Sequence, residues 1–284
     1  MTIQLAPDWF DPSAFDSATT HTITSGGVPI AYRTGGEGEG PRILFVHGGR
    51  AHATWWAHII GLLGDAAPKW AALDLSGHGD SGWREEYRAS VWLEELSDVA
   101  TALSVDDNLV LVGHSLGGML SILLAARGTI PAITRVITID AVPLHPGAPQ
   151  APPEPSVSKP SYPTLAEGAA AFSSRAARAS WPEWLARFIG KRSLRAEGET
   201  WVWRHDNASR VIERPVIDDI GALDLSRLTL ISGAASPYRA SIESSPFVQQ
   251  AGEKLRRITI DAGHDVMMER PLEFSSALAA ELSR

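Results

Sequence analysis

Apolar residues in this chain fall in short continuous runs set between longer amphipathic stretches. Residues 42–46, 70–75, 109–112, 135–140 and 228–233 are near-continuous runs of this kind, among them Ile43-Leu44-Phe45-Val46 and Leu109-Val110-Leu111-Val112, and residues 255–261 read as the last strand. A strand that is apolar at successive positions is covered on both faces, which is the pattern of a parallel sheet packed between layers of helix. Between the runs, residues 89–103 carry Val91, Trp92, Leu96, Val99 and Leu103 at helical spacing, and residues 53–60, 119–126 and 272–282 also read as helices. Near the start, residues 20–25 and 28–34 predict two strands joined at Gly26-Gly27. Residues 1–20 read as an irregular arm. The expected class is α/β, a mostly parallel, doubly wound sheet.

The pattern changes after residue 141. Prolines crowd residues 143–163, and Pro149-Gln150-Ala151-Pro152-Pro153-Glu154-Pro155 excludes a regular element there. Residues 165–179, 181–190 and 196–203 then read as helical pieces with no strand between them. This predicts an inserted helical cap over residues 142–219, dividing the core into residues 1–141 and 220–284.

Composition narrows the functional classes. The 284 residues include 44% hydrophobic positions, enough for a sizeable core, and the formal charge of −8 argues against nucleic acid or an anionic membrane as partner. With no cysteine, disulfides, thiolate metal sites and cysteine nucleophiles are excluded. The first residues lack a basic, apolar leader and no run reaches the length of a membrane span, so a soluble cytoplasmic protein is expected. Gly35-Gly36-Glu37-Gly38-Glu39-Gly40 lacks the Gly-Lys-Ser/Thr ending of a phosphate loop and reads as a flexible turn. His52, His58, His145 and His205 show no metal-like spacing, and neither metal nor cofactor is expected.

The candidate chemistry centres on Gly113-His114-Ser115-Leu116-Gly117. It interrupts a buried strand and opens a helix, the strand–turn–helix context of a nucleophile elbow. Such a turn holds Ser115 in a strained backbone conformation and lifts its hydroxyl above the sheet. Three further motifs end strands or follow them: His47-Gly48-Gly49, Asp74-Leu75-Ser76-Gly77-His78-Gly79-Asp80-Ser81, and Gly263-His264 followed by Glu269-Arg270-Pro271.

Together, in this order, the four motifs resemble those of the α/β-hydrolase family, specifically its cap-bearing branch of small esterases, lactonases, dehalogenases and epoxide hydrolases. The resemblance covers essentially the whole chain. Dehalogenases and epoxide hydrolases carry an aspartate at the elbow; Ser115 makes this chain similar to the acyl-transferring members. The resemblance implies Ser115 as nucleophile and His264 as its base. It also implies an oxyanion hole from the N–H of Leu116 and a second donor in the loop after the third strand, Gly49, with Arg50 as the neighbouring alternative. His47 and His78 read as loop supports, and His114 is expected to point away from the hydroxyl.

The acid departs from the pattern. Where the family usually has an aspartate, the loop reads Gly233-Ala234-Ala235-Ser236-Pro237-Tyr238, with Ser236 at that place. Asp140, at the end of the strand after the elbow helix, is the preferred replacement; haloalkane dehalogenases and zearalenone lactonases are similar in taking their acid from there. Glu243 is the alternative, and a site without a charged acid a third. Asp218, Asp219 and Asp224 precede the strand and belong to its other end.

Trp181 and Trp184 of the cap, with Arg50, are the expected pocket residues. An aromatic lid over a sheet-end pocket suits a small hydrophobic acyl substrate. The resulting expectation is a serine hydrolase of esters, lactones or thioesters. A C–C bond hydrolase, an acyltransferase or cyclase, and a non-hydrolytic ligand receptor stand as alternatives.

Overall fold

A computed structural model describes residues 5–64, 68–104, 108–148, 160–178, 180–209, 215–217 and 223–284. A short helix α1 (Ser13–Asp16) precedes the hairpin β1 (Thr19–Ser25) and β2 (Val28–Gly35). There follow β3 (Gly38–Val46), α2 (Ala57–Leu63), β4 (Pro68–Leu73), α3 (Ala89–Leu103), β5 (Leu109–His114), α4 (Leu116–Arg127) and β6 (Ile133–Ile139). The next group comprises β7 (Ser161–Tyr162), α5 (Leu165–Arg178), α6 (Glu183–Arg192), β8 (Leu194–Glu197) and β9 (Thr200–Trp203). The chain then forms β10 (Leu228–Gly233), α7 (Arg239–Glu243), α8 (Pro246–Ala251), β11 (Arg256–Ile260), α9 (Val266–Glu269) and α10 (Pro271–Leu282).

Eight strands make one sheet in the order β1-β2-β4-β3-β5-β6-β10-β11. From β4 to β11 neighbouring strands are parallel, whereas β1 and β2 run antiparallel at one edge. The continuous apolar runs have the predicted cause. On β3, Leu44 and Val46 join the core that includes α3 and α4, while Ile43 and Phe45 join the opposite core with α2 and α10. The period-two alternation of a strand thus feeds two cores at once. The chain steps from β3 outward to β4 and returns on the other side of β3 to β5. That reversal opens a crevice at the carboxyl ends of β3 and β5, where open α/β sheets bind ligands.

The segment between β6 and β10 differs from expectation. It contains helices α5 and α6, but also a three-stranded antiparallel sheet, β7-β9-β8. Residues 196–203, read as helical, are instead most of a hairpin. Thr200, Trp201, Val202 and Trp203 are β-branched or aromatic, and Gly198 supplies a turn at φ +61°. Phe172, Trp181, Trp184, Leu185, Ile189 and Trp203 are buried in the same cluster as Phe45, Val112 and Ile139 of the main sheet. This segment therefore shares a core with one face of the sheet. The proline run at residues 149–155, and Asp218 and Asp219, lie outside the described residues.

Among the described residues no helix is long and apolar enough to cross a membrane.

Candidate active site

Register alone brings the candidate residues together. Val46 pairs with Gly113, His114 with Ile139, Ile139 with Ile231, and Gly233 with Ile260. The loops that begin after β3, β5, β6, β10 and β11 therefore emerge in one row at the carboxyl edge. Backbone strain collects in the same row. Four non-glycine residues among those described have a left-handed φ, and three stand here: Arg50 at 63°, Ser115 at 51° and Asp140 at 50°. Such conformations cost about 1–3 kcal/mol each and persist only where surrounding contacts impose them.

At Ser115 those contacts are visible. Its N–H donates to Ile139 O across the sheet at 3.0 Å, and its carbonyl accepts from Met119 N at 3.1 Å as the first bond of α4. The turn is tight enough that a Cβ on Gly117 would lie 2.4 Å from Val46 O, and one on Gly113 2.4 Å from Gly117 O. Both glycines are required by close approach of backbone.

Asp140 follows β6 and is 1% exposed. Its N–H continues the ladder to Ile231 O at 2.8 Å. Its Oδ1 accepts from Gly233 N at 3.1 Å, and its Oδ2 accepts both from His264 Nδ1 at 2.7 Å and from Ser236 Oγ. The serine at the family's usual acid position thus donates to the carboxylate that reaches His264 from the neighbouring strand. Glu243 takes no part: it is exposed on α7 and pairs with Arg239 of the same helix at 2.8 Å. Asp224 caps its own turn by accepting from Ser226 N at 3.1 Å, at the amino end of β10.

His264 is held on both sides by rings, Tyr238 at 4.6 Å and His114 at 4.7 Å between centroids. With Nδ1–H donated to Asp140, Nε2 keeps its lone pair. No hydrogen bond joins Ser115 Oγ to this ring among the described residues; in hydrolytic sites that contact often tightens only around substrate.

The loop after β3 is braced by two histidines. His47 donates Nδ1–H to Gly48 O at 2.7 Å and accepts from Leu75 N at 3.1 Å; His78 accepts from Arg50 N at 3.0 Å and donates Nδ1–H to Ser76 O at 3.0 Å. Burial pushes both imidazoles down to about 3, so at neutral pH they are uncharged and able to accept from N–H groups. Because a peptide unit is planar, fixing Gly48 C=O also fixes the direction of the Gly49 N–H on the opposite side. The Arg50 N–H is engaged by His78, and Gly49 remains the candidate donor of this loop. Leu116 is the first residue of α4, where an N–H has no intrahelical acceptor.

Trp181 reaches the site and Trp184 does not. Trp181 donates Nε1–H to Asp265 Oδ2 at 3.0 Å and stands edge-on to Trp55 at 4.9 Å. Trp184 packs on Trp9 at 5.4 Å and Phe10 at 4.7 Å, so it fastens the amino-terminal arm. His114 has a contact that the sequence did not suggest. It lies against His264 and donates Nε2–H to the His264 carbonyl at 3.1 Å. Asp265 went unnoticed in the sequence because its only signal is adjacency to His264; burial raises its carboxyl above the usual range. A cleft of about 250 Å³ lined by Ile133, Arg135, Asp224 and Leu228 lies at the other end of the strands, remote from these groups.

A model of the alpha/beta hydrolase family matches residues 43–277. Esterase Rv0045c of Mycobacterium tuberculosis is 30% identical over 258 residues, covering 86% of this chain and 83% of that protein. Among solved structures, an E-2-(acetamidomethylene)succinate hydrolase superposes with a TM-score of 0.74 at 18% identity, covering 94% of this chain and all of the other (100%). The thioesterase domain of the curacin biosynthetic pathway superposes at 0.69 with 22% identity and the same coverages, 94% and 100%. Sheet order, strained elbow and matched length agree, and the chain belongs to the alpha/beta hydrolase family.

Proposed function

We propose that this chain is a serine hydrolase that cleaves a carboxylic ester, lactone or thioester of a small to medium hydrophobic acyl group. The observation that carries the reading is the His264 Nδ1 to Asp140 Oδ2 bond of 2.7 Å, which orients a partly exposed imidazole beside the elbow. In this mechanism Ser115 Oγ attacks the carbonyl carbon as its proton passes to His264 Nε2. The Asp140 carboxylate stabilises the imidazolium that forms. The negative charge that develops on the carbonyl oxygen is met by the N–H groups of Gly49 and Leu116. His264 then protonates the leaving alcohol or thiol, and a water activated by the same ring releases the acid from the acyl-serine. The segment over residues 142–219 acts as a lid, with Trp181 beside Trp55 and Phe172 forming an aromatic wall that favours apolar acyl groups.

The esterase relative from Mycobacterium tuberculosis supports ester hydrolysis as the reaction class. The test is labelling with a fluorophosphonate probe followed by intact-mass measurement, alongside turnover of p-nitrophenyl esters, lactones and acyl-thioesters. One adduct in the wild-type protein, lost in Ser115→Ala, is expected. An unlabelled wild-type protein without turnover on the panel would favour a ligand receptor instead.

A further inference from the structure

The amino-terminal arm stands before residues 43–277, which the family model matches, and it takes no part in the mechanism above. It is fastened to two different parts of the molecule. Toward β1 it grips the core. Phe15 is buried and stacks on Trp70 of β4 at 6.0 Å, and the Asp11 carbonyl lies so close to α2 that a Cβ on Gly61 would stand 2.0 Å from it. Ahead of that point it grips α6. Trp9 meets Trp184 edge-on at 5.4 Å, and Phe10 lies 4.7 Å from Trp184 and 4.9 Å from Phe188. Asp16, at the end of α1, adds an ion pair with Arg192 at 2.9 Å, and that guanidinium covers the Phe188 ring at 3.9 Å. Trp184, Phe188 and Arg192 are spaced four residues apart, so they form one stripe along α6. Leu185, Ala186 and Ile189 of the same helix are buried in the core shared with the main sheet. The helix is therefore held between the sheet and the arm.

What α6 carries gives the arm a consequence for the site. Trp181 stands three residues before Trp184, forms the aromatic wall with Trp55 and Phe172, and donates to Asp265 at 3.0 Å. A Cβ on Gly190 would lie 3.2 Å from Phe172 Cβ and 3.2 Å from Ala169 O, so the close approach of α5 and α6 couples Phe172 to the same helix. The trailing limb of the segment is anchored separately: Asp206 N donates to Gly77 O at 2.7 Å, and Tyr87 donates its hydroxyl proton to Asp206 at 2.9 Å. Ser115, Asp140 and His264 are placed by the main sheet and not by the arm.

We propose that residues 7–18 are a strap that holds α6 against the sheet, and that Trp9 and Phe10 are positioning residues for the acyl group, acting through Trp184 on the Trp181 wall. The strap stands on these contacts alone; its effect on acyl selectivity rests on the serine-hydrolase reading. Releasing it loosens the wall and leaves the elbow intact. Binding of long acyl chains then weakens while the chemical step is kept, and an acetyl group, which offers the wall little apolar surface, is indifferent.

The test compares wild type, the double variant Trp9→Ala with Phe10→Ala, and Trp9→Phe alone, each checked for unchanged circular dichroism. Both arm residues are only half-buried, so their truncation spares the main cores. By hydrogen–deuterium exchange, residues 183–192 should exchange about 10-fold faster in the double variant, with residues 109–127 and 203–209 unchanged. KM for p-nitrophenyl octanoate should rise about 5-fold with kcat within about two-fold, while both constants for p-nitrophenyl acetate stay within about two-fold. Trp9→Phe keeps a ring for Trp184 and should behave as wild type in both measurements. Unchanged exchange at residues 183–192 overturns the strap. Equal losses on the two esters, or a loss confined to kcat, overturn the positioning role, because a general loss of folded protein lowers both activities alike. Faster exchange of α6 in a chain whose wild type cleaves neither ester upholds the strap and removes the hydrolase reading.

Discussion

Two histidines at the carboxyl edge of the sheet show how environment divides one side chain into a strut and a candidate base. His78 is wholly buried, and its two ring nitrogens are spent on the backbone of Ser76 and Arg50. His264 is partly exposed, and its one bonded nitrogen meets the Asp140 carboxylate. Desolvation disfavours the charged form of His78. His47, His52, His58 and His114 resemble His78 in this respect, each pushed down chiefly by burial, to about 3 or, for His58, about 4. Position at the active edge does not make a histidine chemical; a carboxylate partner and an open ring nitrogen do.

Breaking the comparison at its chemical member should give the largest effect. His264→Gln is expected to lower kcat/KM by about 1,000-fold or more with an unchanged denaturation midpoint, measured on p-nitrophenyl ester turnover and by urea unfolding. The next effect is collective and depends on pH. The buried histidines bind no proton in the folded state until about pH 3–4, whereas in the unfolded chain they bind one near 6.5. Between those values the unfolded state holds more protons, so stability rises with pH and is lost as pH falls from 6.5 toward 3. Asp74 acts in the opposite sense. Its carboxyl is raised to about 6 by burial, so the folded state holds the extra proton between about 4 and 6 and stability falls with pH there. Burial also raises the carboxyls of Glu95, Asp265 and Glu269, which act in the same sense as Asp74. The five large histidine shifts outweigh these four carboxyls, and urea midpoints should drop on acidification below pH 6.5; a flat profile between pH 4 and 7 would contradict this.

Smaller effects should follow at the strut and at the serine that supports the acid. His78→Ala leaves the Arg50 N–H without its acceptor and is expected to cost about 1–3 kcal/mol of stability, read from the urea midpoint. Ser236→Ala removes one of three donors to Asp140 and should lower kcat about 10-fold with little change in KM, while Glu243→Gln serves as a neutral control.

The core was legible in the sequence because burial on both faces of a parallel strand leaves an unmistakable record. The runs at residues 109–112 and 228–233 needed no context to be placed, and α3 begins and ends where the spacing puts it. The candidates Ser115, Asp140 and His264 were legible for a related reason, since each stands one to four residues beyond a strand, where register decides its neighbours. The segment over residues 196–203 was misread because apolar residues in a short hairpin packed against α5 mimic helical spacing, and its strand pairing is set by tertiary contacts. The roles of His114 and Ser236 were hidden for another reason. Both depend on which neighbouring loop the side chain meets at the carboxyl edge, which periodicity does not reach. The motif departure at Ser236 was visible, but that it donates to Asp140 became visible only once β6 and β10 were known to be neighbours.

The central claim is that the charge orienting His264 comes from β6 and not from the loop after β10. Its most direct test is kcat/KM of Asp140→Asn with the p-nitrophenyl ester that the wild-type protein turns over fastest, on protein shown to unfold at the wild-type midpoint. The predicted result is a fall of about 10,000-fold, because asparagine keeps the shape of the site and removes the charge that stabilises imidazolium. A variant that retains turnover within a few-fold of wild type would contradict the assignment of Asp140.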